Sequence, residues 1–339
     1  MPKRTNLAIA PLLALAVGSV GALLAPAASA ASPYTNAEWS PDRHVAANNC
    51  TTSYDPVATP TNAPIAADGA RHVFGQAYTA TVTNSGDPTD ITHVSVSQDS
   101  VGILGSKGTD PSAFSMAFSG KAIVKSDKPS PACQVSGYAQ TNLSFEFTLT
   151  KPKWVDVSLT NRGVSTTELT IWNSNNPPYL FVYDYGVKFD TTGRAYLPAG
   201  EYNGTLEGEI SLDPTGNAGS SGSMKATFTT PGSRTTGPSG KAKPYIALGA
   251  SRNCTSHTLA TKVTTSKKRA KTIKKIVIRV NGHKVKTVKS HFRGRAIPLT
   301  LADTKAANVK ATVTTVQKKK HHKKIRKSRT VSANYLACS

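Results

Sequence analysis

The sequence predicts an all-β protein built from two successive β-sandwiches, with almost no helix. Short runs rich in Val, Thr, Phe and Tyr alternate with clusters of Gly, Pro, Asn, Asp and Ser about every ten residues, a pattern typical of sandwiches rather than of βαβ units. The charge divides the chain in the same way. The 339 residues carry a net charge of +22, yet residues 251–339 hold 24 Lys and Arg against one acid, Asp303. We therefore expect a sandwich region over residues 31–230, a linker over 231–250 and a basic domain over 251–339.

The first thirty residues have the features of a secretory signal peptide. A positively charged start precedes an apolar stretch from Leu7 to Leu24, and the tripeptide Ala28-Ser29-Ala30 predicts cleavage before Ala31. A membrane anchor is the alternative, but the apolar run is short and rich in Ala and Gly. We therefore expect a secreted, extracellular protein that associates with the cell wall and has no membrane span in the mature chain.

The first region contains short runs in which apolar and aromatic residues recur at alternate positions, as in half-buried strands. Pro231 to Lys243 follow them with Gly, Ser, Thr and Pro and no apolar pattern, which predicts the linker. The predicted strands are Tyr78–Thr83, His93–Gln98, Phe114–Val124, Leu143–Leu149, Val155–Leu159, Thr167–Trp172, Leu180–Phe189, Arg194–Leu197, Glu207–Leu212 and Met224–Thr229.

One strand of this region has aromatic residues at every second position. Tyr179, Phe181, Tyr183 and Tyr185 therefore share one face of the predicted strand. We favour a strand whose aromatic face packs in the core, because buried central strands have the same pattern. The alternative is an exposed platform on which sugars stack, and exposure of these rings would favour that alternative.

The basic domain begins with a predicted β-hairpin. Ile276, Ile278 and Val280 alternate before the turn Asn281-Gly282, whose residue types are preferred in two-residue turns. Regular pairing across this turn places Ile278 opposite Val285 and Arg279 opposite Lys284. Further strands are predicted at Thr258–Val263, Ala296–Leu301, Val309–Val316 and Thr330–Ala337. Together they indicate a small Ig-like β-sandwich.

The four cysteines are far apart and include no Cys-x-x-Cys spacing, so we expect two structural disulfides in an oxidising compartment rather than a zinc site. Three pairings can be formed in principle. We favour Cys50 with Cys133 and Cys254 with Cys338, because the first bond then lies within the sandwich region and the second within the basic domain.

Two segments of the chain resemble known families. Its last part, with the hairpin from Ile276 to Val285 and the flanking Cys254 and Cys338, resembles the Cys-bounded, basic Ig-like domain that ends many secreted and surface proteins of high-GC Gram-positive bacteria. Phe145–Leu149 and Leu197–Tyr202 are similar to motifs of the jelly-roll-like domains that accompany secreted bacterial enzymes and adhesins. These resemblances imply a jelly-roll-like sandwich followed by an Ig-like sandwich, and a role without catalysis.

The sequence departs from that Ig-like domain at its last hairpin. The domain commonly turns this hairpin with a few Gly or Asp residues, whereas residues 318–327 of this chain combine seven Lys or Arg with two His. Charges at this density repel one another, so we expect them to bind anionic cell-wall polymer, anionic glycan or extracellular nucleic acid non-specifically. The alternative is a solvated tip that maintains solubility. The candidate residues are Lys318, Lys319, Lys320, His321, His322, Lys323, Lys324, Arg326 and Lys327 at the tip, and Arg279, Lys284 and Lys286 on the first hairpin.

No catalytic motif was found in the sequence: Gly-x-Ser-x-Gly, His-Glu-x-x-His and an Asp-x-Asp calcium loop are all absent. Glu207 and Glu209 share a strand face, but acids are otherwise scattered. We expect no enzyme activity, cofactor or metal. The predicted function is a secreted, envelope-associated or adhesive protein whose basic domain binds anionic polymers. The alternative is a carbohydrate-binding accessory protein that uses the aromatic face to bind a neutral glycan.

Overall fold

A computed structural model describes residues 32–55, 61–163, 165–173, 179–185, 188–212, 219–318 and 324–339. The predicted signal peptide, residues 1–30, lies outside these ranges. The described chain consists almost entirely of antiparallel β-sheet, with one short helix at Lys267–Ala270. The prediction of an all-β sandwich fold is therefore confirmed. In these ranges the structure contains no helix that is long and apolar enough to cross a membrane.

The first sandwich pairs a six-stranded with a seven-stranded sheet. Its strands are β1 (Tyr34–Ala47), β2 (Cys50–Tyr54), β3 (Ala63–Pro64), β4 (His72–Asn84), β5 (Asp87–Lys107), β6 (Asp110–Ser126), β7 (Val135–Leu149), β8 (Lys153–Arg162), β9 (Ser165–Trp172), β10 (Leu180–Tyr185), β11 (Lys188–Leu197), β12 (Gly200–Ser211) and β13 (Gly219–Thr229). The six-stranded sheet has the order β10-β9-β12-β7-β1-β3, and the seven-stranded sheet has the order β11-β8-β13-β6-β5-β4-β2.

Side chains from both sheets fill one core between them. Trp39 of β1 stacks on Phe74 of β4, with ring centroids 4.9 Å apart, and its indole N–H donates to the hydroxyl of Ser100 on β5 at 2.9 Å. Phe118 of β6 is buried where Gly208 of the facing sheet leaves room for its ring. The two sheets therefore interlock through aromatic side chains, as expected for face-to-face packing.

The predicted strand Leu180–Phe189 is wrong as a single element. Its first part is β10, the edge strand of the six-stranded sheet, and its last residues begin β11, the edge strand of the seven-stranded sheet. On β10 the buried apolar residues are the even-numbered Leu180 and Val182, whereas on β11 the buried Leu197 is odd-numbered, so one alternating strand cannot account for both.

The second sandwich is smaller. Its strands are β14 (Ile246–Asn253), β15 (Thr258–Val263), β16 (Ile273–Val280), β17 (His283–Val288), β18 (Ala296–Thr300), β19 (Ala307–Lys318) and β20 (Lys324–Tyr335). A three-stranded sheet, β14-β15-β18, faces a four-stranded sheet, β17-β16-β19-β20. The hydroxyl of Tyr335 donates to the carbonyl of Gly249 at 2.8 Å and joins the two sheets.

Residues 231–250, which the composition predicts to be a linker, are largely hydrogen-bonded to the second sandwich. The backbone N–H groups of Thr235, Ser239 and Ala242 donate to carbonyls of β20 at 2.9–3.0 Å, and β14 already starts at Ile246. Ala242 also belongs to the second core. Backbone pairing of this kind needs no apolar side chains, which is why the sequence pattern of the segment resembles that of a free linker.

Both disulfides have the predicted pairing. Cys50 is bonded to Cys133 and Cys254 to Cys338, with sequence separations of 83 and 84 residues. Each bond lies within one sandwich, since the first joins the start of β2 to the residues before β7 and the second joins the ends of β14 and β20.

The register of the β16–β17 hairpin is predicted only in part. Arg279 pairs with Lys284 as expected, but Ile278 pairs with Lys286 and not with Val285. A β-bulge at this point leaves Val285 without a partner on β16, and its side chain is 46% exposed. Because a bulge adds one residue to one strand, every position beyond it changes face.

Candidate functional site

The four-stranded sheet of the second sandwich presents a cationic face to solvent. Ile276 and Ile278 of its central strand β16 are fully buried, so by alternation Lys275, Val277 and Arg279 point outward. The cross-strand partners of these three residues on β19 are Thr314, Thr312 and Lys310, which are on the outward face as well.

This face contains a shallow depression of about 570 Å³. The residues that line it are cations, hydroxyl-bearing residues and one valine, and they include no acid. They are the cations Lys275, Arg279, Lys284 and Lys289, and Val277 together with the hydroxyl-bearing residues Thr287, Thr312, Thr314 and Ser328. We name this surface, together with Lys310, the cationic face. Ammonium and guanidinium groups beside hydroxyl donors match a phosphate, sulfate or carboxylate oxygen in charge and in hydrogen-bonding capacity.

Three cations cross the sheet in one row. Lys284, Arg279 and Lys310 are direct cross-strand neighbours on β17, β16 and β19. Like charges directly opposite each other destabilise a sheet by a few tenths of a kcal/mol per pair. In the part of the chain that the structure describes, none of the three forms an ion pair, and Asp303, the one acid of residues 251–339, is bound to His257. The row is therefore unfavourable for folding and available for an anion.

The predicted polyanion-binding residues have different positions. Arg279 and Lys284 line the depression. Lys286 is exposed, but the bulge places it opposite the inward-facing Ile278, so it does not belong to this face, and binding by Lys286 stays a prediction. Arg326 lies two residues before Ser328 on β20 and is therefore on the same side of the strand, so it extends the cationic face toward the tip of the hairpin. Lys327 is on the opposite side of the strand.

The remaining predicted cations belong to the tip of the β19–β20 hairpin. Lys319, Lys320, His321, His322 and Lys323 lie outside the described residues. For Lys318 and Lys324 the structure describes the backbone, in which the two residues pair across the last position of the hairpin. Binding by the tip therefore stays a prediction.

Sequence reasoning missed Lys289 and Lys310 as members of the cationic face. Lys310 lies between the buried Val309 and Ala311, so strand alternation places it on the outward side of β19. The pairing of β19 with β16 then places it beside Arg279. Lys289 follows the bulged strand, and its position could not be found without knowledge of the bulge.

Two aromatic side chains of β10 are exposed to solvent and do not pack in the core. Phe181 is 56% and Tyr183 49% exposed, whereas Leu180 and Val182 of the same strand are buried. The core-packing interpretation is therefore wrong for these two rings. Tyr179 is half-buried and packs edge-on against Tyr202, with centroids 5.5 Å apart. The side chain of the fourth predicted residue, Tyr185, lies outside the described part of the chain.

The outward surface of the same six-stranded sheet carries half-buried carboxylates. Glu168 of β9 and Glu207 of β12 are direct cross-strand partners, and Glu209 lies two residues further along β12. Burial, and then the charges of Glu168 and Glu209, raise the pKa of Glu207 above its ordinary value. The two sandwiches thus present outward sheet faces of opposite charge.

The raised pKa of Glu207 predicts a pH-dependent stability. A carboxyl whose pKa is higher in the folded state favours folding when it is protonated, and this contribution is lost as the pH rises through the folded-state pKa. We expect Glu207→Gln to stabilise the protein at pH 7 by about 0.5 kcal/mol, because it removes one charge from a like-charge pair. The gain should shrink in thermal melts at decreasing pH.

Glu201→Gln serves as the control for this measurement, because Glu201 is exposed on the same strand and pairs with Thr148. An equal gain from both substitutions, or a gain from Glu207→Gln that does not change with pH, would contradict the prediction.

Comparisons with known proteins add little to this description. No protein-family model and no curated protein matches the chain. Among solved structures, the chain is similar to the adhesin domain of Epf from Streptococcus pyogenes, with 11% sequence identity over 77% of this chain and 90% of that chain, and a TM-score of 0.20. At this TM-score, neither a shared fold nor a shared function follows.

Proposed function

We propose that the protein is a secreted, non-catalytic, envelope-associated or adhesive protein whose second sandwich binds anionic polymers. The observation that carries the proposal is the cationic face, where Lys284, Arg279 and Lys310 form an uncompensated row beside a depression lined by cations and hydroxyls. A row of like charges that weakens the sheet is explained if an anion binds there.

The chemistry of the face favours polymers with repeated anionic groups. Its depression is open and shallow, so a single small anion would remain largely solvated, whereas a chain of phosphate, sulfate or carboxylate groups contacts several cations at once. Lysines bind such groups as point charges. The residues that line the depression include no aromatic side chain on which a nucleic-acid base could stack. Recognition is therefore electrostatic and without sequence specificity.

Two features support a location outside the cell. Disulfides persist in oxidising compartments, and all four cysteines are bonded. The N-terminal residues have the pattern of a secretory signal peptide. An exported protein with a cationic sheet face meets the anionic polymers of a cell envelope directly, and this contact requires no catalysis.

The proposal is tested by neutralising the cationic face. We expect Lys275→Gln, Arg279→Gln and Lys284→Gln together to weaken binding to a fluorescently labelled heparin fragment by about tenfold at low salt, as measured by anisotropy. The slope of the logarithm of affinity against the logarithm of salt concentration should decrease in magnitude by about the number of contacts removed.

A matched variant removes the same net charge elsewhere. Lys262, Lys286 and Lys305 are exposed and do not line the depression, so their replacement by Gln tests for a general effect of charge. Equal losses in the two triple variants would refute the assignment of binding to this face. Affinity unchanged at about 0.5 M salt would refute electrostatic binding altogether.

The like-charge row also predicts that stability and binding change in opposite directions. Arg279→Thr removes both unfavourable pairs and introduces a residue favoured in strands, so we expect the free energy of unfolding to rise by about 0.5 kcal/mol while heparin affinity falls. Chemical denaturation and anisotropy on the same sample check the two effects. A loss of stability would show that Arg279 has a structural role.

A further inference from the structure

The exposed aromatic pair on β10 is a feature that the proposed function does not use. The rings of Phe181 and Tyr183 are nearly parallel, with 5° between their planes and 6.3 Å between their centroids. They lie two residues apart on the edge strand of the six-stranded sheet, and the buried Leu180 and Val182 fix the opposite face of that strand. Two parallel aromatic rings are thus exposed to solvent on one side of this strand.

Polar side chains continue this surface across the sheet. The cross-strand partners of Phe181 and Tyr183 on β9 are Thr170 and Glu168, and the hydroxyl of Thr170 donates to the carboxylate of Glu168 at 2.9 Å. On the next strand, β12, Thr205 pairs with Thr170. Aromatic faces next to hydroxyl and carboxylate groups are the combination that a sugar requires, because one face of a pyranose ring is apolar and its edge carries hydroxyl groups.

The charges on the outward surface of these strands indicate whether a neutral or an anionic sugar polymer binds there. The strands β7, β9, β10 and β12 contain no Lys or Arg, whereas Glu146, Glu168, Glu207 and Glu209 lie on their outward face. Carboxylates repel the anionic polymers that the cationic face attracts, but they accept hydrogen bonds from uncharged hydroxyl groups. The outward surface of these four strands therefore disfavours polyanions.

We propose that Phe181 and Tyr183 form a stacking platform for a neutral polysaccharide, oriented by Thr170 and Glu168. Each sandwich then has its own binding surface. The first sandwich binds a neutral polymer, and the second sandwich binds an anionic one. Because the apolar contact dominates, binding at the platform is insensitive to salt.

Affinity electrophoresis of the full chain tests the platform. The gels contain soluble xylan, mixed-linkage β-glucan, galactomannan or dextran, with hyaluronan as an anionic comparison, and about 0.5 M salt screens the cationic face. We expect at least one neutral polysaccharide to retard the protein, and Phe181→Ala and Tyr183→Ala each to weaken that binding by about tenfold. Phe181→Tyr, which keeps an aromatic ring, should retain it.

Val73→Ala provides the matched control, because Val73 is an exposed apolar residue of the other sheet of the same sandwich. Retardation by none of the neutral polysaccharides would overturn the proposal, as would equal retardation of the parent and the two alanine variants. The heparin affinity of these variants at low salt should equal that of the parent, so failure of the platform and failure of the cationic face are distinguishable.

Discussion

Replacement of Cys254 and Cys338 by serine is expected to lower the free energy of unfolding of the second sandwich by about 4 to 5 kcal/mol. The bond closes a loop with a sequence separation of 84 residues, and the entropy gained by the unfolded chain on opening a loop increases with its length. A small sandwich has a stability of the same order, so this variant should be largely unfolded in that region at 37 °C. Urea denaturation monitored by circular dichroism measures the loss.

The Cys50–Cys133 bond is the internal comparison. Its separation of 83 residues predicts an almost equal entropic effect, but the sandwich that contains it has a larger core. The serine variant of this pair should therefore stay folded at 37 °C with a lower urea midpoint. A midpoint of the Cys254/Cys338 variant equal to that of the parent would contradict the prediction, because the second sandwich would then not depend on its disulfide.

Phe118→Ala is expected to lower the free energy of unfolding of the first sandwich by about 3 to 5 kcal/mol. Phe118 is 3% exposed, and its ring occupies the space that Gly208 and Gly222 leave free, one on each sheet. A Cβ atom at Gly208 would lie 2.2 Å from the ring, so the surrounding backbone already contacts it closely. Truncation creates a cavity between two rigid sheets that cannot collapse to fill it.

Phe181→Ala is the matched control for this measurement. It removes the same atoms from an exposed position in the same sandwich, so its effect should be within about 0.5 kcal/mol. Comparable losses from both substitutions would mean that the Phe181 ring is buried in solution, which would also remove the platform proposed for β10.

The sequence was sufficient to predict the fold class and the disulfide pairing. Alternation of apolar residues and frequent turn residues are local consequences of a β-sheet, so they are visible without tertiary information. The pairing of Cys254 with Cys338 followed from the change in charge along the chain. The first strand, Tyr34–Ala47, was not predicted, because it contains Pro41 and several charged residues.

Features that depend on how strands meet could not be predicted. The bulge at Val285 moves Lys286 off the cationic face, and only the pairing with β16 reveals it. Phe181 and Tyr183 follow the same alternation that a central strand would show, so their exposure depends on the edge position of β10. The pairing of Arg279 with Lys284 was predicted correctly because both residues lie next to the Asn281-Gly282 turn, before the bulge changes the register.

The two disulfides also determine which parts of the chain bear a mechanical load. Tension applied along the backbone passes from Cys254 to Cys338 through the sulfur–sulfur bond, so residues 255–337 are shielded from it. Residues 51–132 are shielded in the same way by Cys50 and Cys133. When the chain is pulled at points outside the two disulfide loops, the force between Cys50 and Cys338 therefore acts on residues 134–253 alone, and strands β15 to β20, which carry the cationic face, are not stretched.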